Sequence, residues 1–210
     1  MVPDGYWQHL AANPRQAAIF NAAMTGKTHA HVAGILRAFD FTPFRRIGDI
    51  GGGRGHLLHS VLDIAPAARG LLFDQPHVIE ENHALASERI ELVGGDFFMD
   101  ALPDCDLYLL MEIVHDWPDP QAVAILRNVR RAAPADARLL VIEELRSEGS
   151  ELDWAKTLDV LMLGLLGGRQ RTVDEHRALL DEAGWRVERV IGTTGGTSII
   201  EVVAAGPRQR

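Results

Sequence analysis

From about residue 46 onwards, short apolar runs alternate with amphipathic stretches. Ile47–Ile50, Gly70–Asp74, Ile90–Gly94, Leu107–Met111 and Leu139–Glu143 predict strands, and their near-continuous apolar character predicts burial on both faces. Between them, His56–Ile64, His77–Ser87 and Gln121–Ala132 read as helices. This alternation predicts an α/β fold, a parallel sheet with helices on both faces. The tail changes pattern. Val173–Ala183 reads as a helix, followed by strands Trp185–Ile191 and Ser198–Ala204 across the tight turn Thr193-Thr194-Gly195-Gly196. That is a hairpin signal, so the sheet is expected to be seven-stranded, mostly parallel and Rossmann-like, ending in an antiparallel final strand. Two amphipathic stretches precede it, Tyr6–Leu10 and Pro14–Phe39, with Ile19, Phe20, Ala23 and Met24 at helical spacing. Asn13 is placed to cap the second, with Pro14 in its first turn.

Composition narrows the classes of partner. A chain of 210 residues with 47% hydrophobic content supports one domain with a sizeable core, or one domain and a short appendage. The net charge of −8 and the lack of a basic stripe argue against nucleic acid. The single cysteine, Cys105, excludes an intramolecular disulfide and suits a reducing cytoplasm. The start MVPDGYWQHL has no signal-peptide pattern, and no apolar run reaches membrane-spanning length. A small molecule is the expected partner.

The strongest local signal is Asp49-Ile50-Gly51-Gly52-Gly53-Arg54-Gly55, after a strand and before a helix. Glycines let the backbone approach a ligand, and the helix behind presents free N–H groups. The dinucleotide fingerprint G-x-G-x-x-G, started at Gly51, would need its third glycine at His56, so that template fails. The pattern present is acid-x-G-x-G-x-G, in which Gly51, Gly53 and Gly55 are the spaced glycines. An acid at Asp49 sits poorly beside a pyrophosphate but suits a ligand that carries positive charge. Asp74 ends the next strand, where a carboxylate can accept from two ribose hydroxyls. Gly95-Asp96-Phe97 follows the third strand; an acid and an aromatic there can accept from an adenine amino group and cover its face. Phe98 reads as core. Three acids at the carboxyl ends of three strands lie where ligands bind in such sheets.

After the fourth strand comes Met111-Glu112-Ile113-Val114-His115-Asp116-Trp117. With the glycine loop, this His-Asp-Trp segment resembles the plant-type O-methyltransferase family, which is also widespread in bacterial antibiotic pathways. The resemblance spans Tyr6–Met24, Gly48–Leu58, Gly94–Arg131 and Asp159–Thr172. It implies a class I S-adenosylmethionine-dependent catalytic domain over residues 41–210, behind a helical segment over 1–40. It further implies S-adenosylmethionine as methyl donor, S-adenosylhomocysteine as product and an aromatic hydroxyl as acceptor, with Met111 against the cofactor. His115 would be the general base; a neutral imidazole of pKa about 6.5 can take the proton of a phenol of pKa about 10 during attack. Glu143 aligns with the acid that orients the imidazole, and strand alternation would point neighbouring Glu144 the other way. Gln170 stands where many members carry a second orienting Glu, and an amide cannot stabilise an imidazolium by charge. Met24, Trp154, Met162 and Leu166 are implied in the acceptor wall, while Asp116 and Asp119 read as caps of the next helix.

No metal is expected. There is no HExxH or Cys–His ligand set, and His29 and His31 fall on different helix faces. Family members carry a helical domain before the segment resembling Tyr6–Met24, which forms the dimer and roofs the acceptor. Its absence from this sequence implies a homodimer or a partner chain that supplies it, contacting the first forty residues. Two further readings stand beside methyl transfer: a relative that binds the cofactor without methylating, and an accessory subunit that acts only with a partner.

Overall fold

The computed structural model describes residues 6–16, 19, 31–151 and 153–206. Helix α1 covers Tyr6–Ala12, and residues 31–38 form α2. Strand β1 (Arg46–Ile50) is followed by α3 (His56–Ile64), β2 (Arg69–Asp74), α4 (Pro76–Glu81) and β3 (Ile90–Gly94). Then come β4 (Leu107–Met111), α5 (Asp119–Ala132), β5 (Arg138–Glu143), α6 (Trp154–Leu165), α7 (Val173–Glu182), β6 (Trp185–Gly192) and β7 (Ser198–Ala204). The predicted helix over 77–87 is instead the short α4 and a separate 3-10 turn, His83–Leu85. Asn82 divides them, its side-chain amide donating to the carbonyls of Val78 and Gly53. Asn13 does not cap the following turn with its side chain, which donates back to the His9 carbonyl at the end of α1. Met24 and Phe20 lie outside the described residues.

The seven strands form one sheet in the order β3-β2-β1-β4-β5-β7-β6. The first five pair in parallel, and β7 is antiparallel to both β5 and β6. The antiparallel final strand is present, but it sits inside the sheet and β6 takes the edge. The hairpin that joins them folds β7 back into the gap beside β5, where its apolar residues Ile199, Ile200 and Val202 are fully buried.

Period-2 alternation divides the core into two clusters. Tyr108, Leu110, Leu139 and Val141 face α5 and α7, and Leu107, Leu109, Leu140 and Ile142 face α2 and α3. The strand order reverses between β1 and β4, which opens the crevice at the carboxyl edge where open α/β sheets bind ligands. Burial pushes the Cys105 thiol up to about 12, so it is an inert core residue. Among the described residues, no helix is long and apolar enough to cross a membrane.

Trp185 closes the first cluster. It is fully buried, donates its indole N–H to the Leu126 carbonyl at 3.0 Å, and has the Arg130 guanidinium over its ring. Trp185→Ala is expected to cost about 3–5 kcal/mol, the usual range for truncating a buried aromatic. The midpoint of urea unfolding should fall accordingly, with the slope unchanged.

Candidate active site

The glycine loop follows β1 at the switch point. Gly51, Gly53 and Gly55 all take left-handed φ values, 72°, 57° and 67°, which explains glycine at these alternate positions. Around Gly53 no atom of the described residues would meet an added Cβ within 4 Å, so its outer face is open to them. At Gly52, by contrast, a Cβ would meet the Asp49 carboxylate at 2.5 Å. Asp49 is buried beneath the loop, and among the described residues its Oδ2 has no hydrogen-bond partner. Burial, together with the nearby Asp74 charge, raises its carboxyl to about 7. Such a group is poised to gain from a cation.

Asp74 ends β2, and its two oxygens accept from the Gly53 N–H at 2.8 Å and the Gln75 N–H at 2.7 Å. A carboxylate has about four lone-pair sites, so two remain for an outside donor. Burial pushes its carboxyl above the ordinary range despite these bonds. Gly95 is packed so that a Cβ would strike the Phe73 ring at 2.7 Å. Asp96 is exposed and turns back to accept from the Phe98 N–H. Phe97 is half-buried beside Gly51 and contacts the Phe98 and Trp117 rings edge-on. Met111 is half-buried at the end of β4.

The segment after β4 is a 3-10 turn, Val114–Asp116, held by Glu143 from the end of β5. One Glu143 oxygen accepts from the Val114 and His115 backbone N–H groups, at 2.9 and 3.3 Å. The other accepts from His115 Nδ1 at 2.5 Å. On the far side of the ring, His115 Nε2 lies 3.2 Å from Asp116 Oδ1. Burial alone would lower the imidazole pKa. The Glu143 charge and the bonds from Asp116 and Glu143 outweigh it and hold the ring well above its usual range. For Glu143, burial would raise the carboxyl, and His115 brings it below the ordinary range. Asp116 is therefore not a helix cap; it is buried against the imidazole, and burial raises its carboxyl.

The loop after α6 locks this turn from outside. At Gly168 a Cβ would lie 2.1 Å from the His115 carbonyl, which accepts from the Arg169 N–H at 2.8 Å. Arg171, fully buried and missed in the sequence, donates to the carbonyls of Val114 and Trp117 and to Asp119. Asp119 is the first residue of α5, and it receives this guanidinium in place of the predicted capping role. A buried arginine needs this many acceptors, and spacing in the sequence does not reveal them. Gln170 is buried in the same loop, but among the described residues neither atom of its amide has a hydrogen-bond partner, so it makes no bond to His115 here. The charge at Nε2 comes from Asp116. His176 of α7, also unforeseen, is buried close enough to Glu143 to feel its charge, and burial lowers its pKa.

The residues expected in the acceptor wall differ in burial. Met162 is buried in α6 and Leu166 is half-buried at its end, whereas Trp154 is exposed. Val160, Leu161 and Leu163 of the same helix are also exposed.

Residues 2–186 match the O-methyltransferase domain. A phenazine O-methyltransferase of Lysobacter antibioticus is 43% identical over 93% of this chain and 59% of its own length. A mitomycin biosynthesis 6-O-methyltransferase of Streptomyces lavendulae is 39% identical over 94% of this chain and 58% of its own. Among solved structures, an O-methyltransferase from neocarzinostatin biosynthesis, in complex with S-adenosylhomocysteine and 1,4-dihydroxy-2-naphthoic acid, superposes with a TM-score of 0.83 at 30% identity. That match covers 95% of this chain and 61% of that one. The chain thus spans about three-fifths of the length of these relatives. With a match over most of its residues, it belongs to the O-methyltransferase domain family.

Proposed function

We propose that this chain transfers the methyl group of S-adenosylmethionine to a hydroxyl of an aromatic small molecule, with His115 as the general base. The observation that carries this reading is the imidazole held between Glu143 and Asp116 at the end of β4, across the switch point from the open glycine loop. The relatives support it: their names are those of O-methyltransferases in natural-product pathways, and one was solved with a naphthoic acid.

The residues present fit the cofactor. Asp49 offers a buried, unpartnered oxygen to the ammonium of the methionine end, Asp74 keeps acceptor sites for the ribose, and Phe97 flanks the loop. When bound, S-adenosylmethionine supplies a methyl already activated on a cationic sulfonium. What remains for the protein is alignment and deprotonation. His115 Nε2 takes the acceptor's proton, and the Glu143 carboxylate at Nδ1 balances the imidazolium that results, the orienting role of a triad acid. Asp116 holds the same Nε2 in the resting chain, so the acceptor hydroxyl takes its place there.

The second reading is a chain that needs a partner to act. It is favoured by the large apolar side chains that α6 exposes, Trp154, Val160, Leu161 and Leu163. Methyl transfer by the purified chain to a panel of phenolic polyketides separates the two, since a partner-dependent chain would be silent until the partner is added.

S-adenosylhomocysteine at about 100 times its dissociation constant should stabilise the chain by about 2.7 kcal/mol, and NAD should not. Asp74→Ala should remove most of that shift in a thermal melt; no shift with the wild type would sink the cofactor assignment.

His115→Ala is expected to lower turnover by about 10²–10⁴-fold, the usual worth of general-base assistance, with S-adenosylhomocysteine affinity nearly unchanged. Full activity in that variant would mean that the acceptor ionises unaided.

The pH profile carries a sign. A base must be neutral to act, and the acids around His115 favour its charged form, so kcat/KM should rise with pH through a midpoint above 6.5. Asp116→Asn removes one of those acids and should move the midpoint to lower pH. An unmoved midpoint would separate Asp116 from the titration.

A further inference from the structure

Just beyond the ends of β4 and β5, on the opposite side of the sheet from His115, the fold gathers His31, Glu112 and Glu144. One ligand atom from each lies within 4.8 Å of the other two. The alternation of the strands explains how. Leu140 and Ile142 of β5 face α2, so Glu144 continues that side while Glu143 turns to His115. On β4 the same alternation would send Glu112 towards His115. Its φ of 55° breaks the pattern, and its Oε1 comes 3.9 Å from His31 Nδ1 on α2. Among the described residues, Glu112 alone has positive φ without being glycine. His31 is 7% exposed, and its Nδ1, directed into the cluster, is buried without a hydrogen-bond partner among the described residues. A buried ring nitrogen in that state lacks the partner that such groups ordinarily have.

We propose that His31, Glu112 and Glu144 form a binding site for a divalent transition-metal cation, which nothing in the proposed methyl transfer uses. A set of one nitrogen and two oxygens suits zinc or manganese, whereas calcium and magnesium favour oxygen alone. Tetrahedral bonds of about 2.1 Å place ligand atoms about 3.4 Å apart, so the side chains close by little more than 1 Å around an ion. The sequence hid the site because its three members are spread over more than a hundred residues, and His31 has no ligand partner at helical spacing.

Zinc titration of the metal-stripped full chain by calorimetry, with cobalt(II) absorption as a second readout, tests this. One equivalent should bind the wild type. His31→Ala, His31→Gln and Glu144→Gln should each weaken binding by at least the ~10-fold that loss of an outer-shell partner costs a metal site. Variants that keep the wild-type circular dichroism spectrum are the ones read. His115→Ala controls for capture of the ion by the neighbouring His115–Glu143–Asp116 cluster and should leave the affinity unchanged. Equal zinc affinity in the wild type and the folded His31 and Glu144 variants would overturn the proposal. So would an affinity lost only in His115→Ala, or no binding to the wild type.

Discussion

The Glu143 carboxylate is fully buried, and three donors converge on it: two backbone N–H groups of the turn after β4, and the imidazole of His115. An unpaired carboxylate at that depth would be costly, and this one is tolerable because the turn after β4 supplies its partners. The dependence runs both ways. The turn exists because Glu143 binds its N–H groups, and the ring keeps its orientation because Nδ1 donates to the same carboxylate. Arg171 fastens the other side of the turn through the carbonyls of Val114 and Trp117, so donors and acceptors of the segment are both satisfied from outside it. Loss of either clamp would release the imidazole as well as the loop.

The same reasoning links the site to the glycine loop. Asp49 and Asp74 lie under and beside that loop, each raised by burial, and Asp49 is raised further by Asp74. Two acids brought together in a dry place favour any ligand that brings positive charge. Across the switch point, the Glu143–Asp116 pair favours the charged form of His115, as the Asp49–Asp74 pair can favour an external cation. Burial of acids is thus the recurring device at this edge of the sheet, and the parallel strands place each acid at their carboxyl ends.

The alternation of strand residues gives that edge two sides. Glu143 and Glu144 are neighbours in the chain, yet they belong to different clusters, one with His115 and one with His31. Glu112 joins the second side only through its left-handed backbone. A shift of one residue in either strand would exchange these assignments, so register decides which chemistry each acid serves.

Most of the architecture was legible in the sequence because its signals are local. Apolar runs marked the strands, and His56–Ile64, Ile90–Gly94, Leu107–Met111 and Ser198–Ala204 have the predicted bounds. The glycine spacing and the acids at strand ends marked the ligand edge, and the His-Asp-Trp segment marked the candidate base. Pairings between distant segments were not legible. Insertion of β7 beside β5 is a choice among sheet edges that the hairpin signal leaves open. Asp116 looked like a cap and Arg171 like a loop residue, because a side chain's partner depends on what the fold brings against it. Gln170 aligned with an orienting acid but lies buried with no bond to His115, and the carboxylate at Nε2 belongs to the next residue in the chain. Local periodicity determines which segments become strands and helices. Tertiary packing alone determines which buried polar groups meet, because each must find its partner in whatever the other segments bring near it.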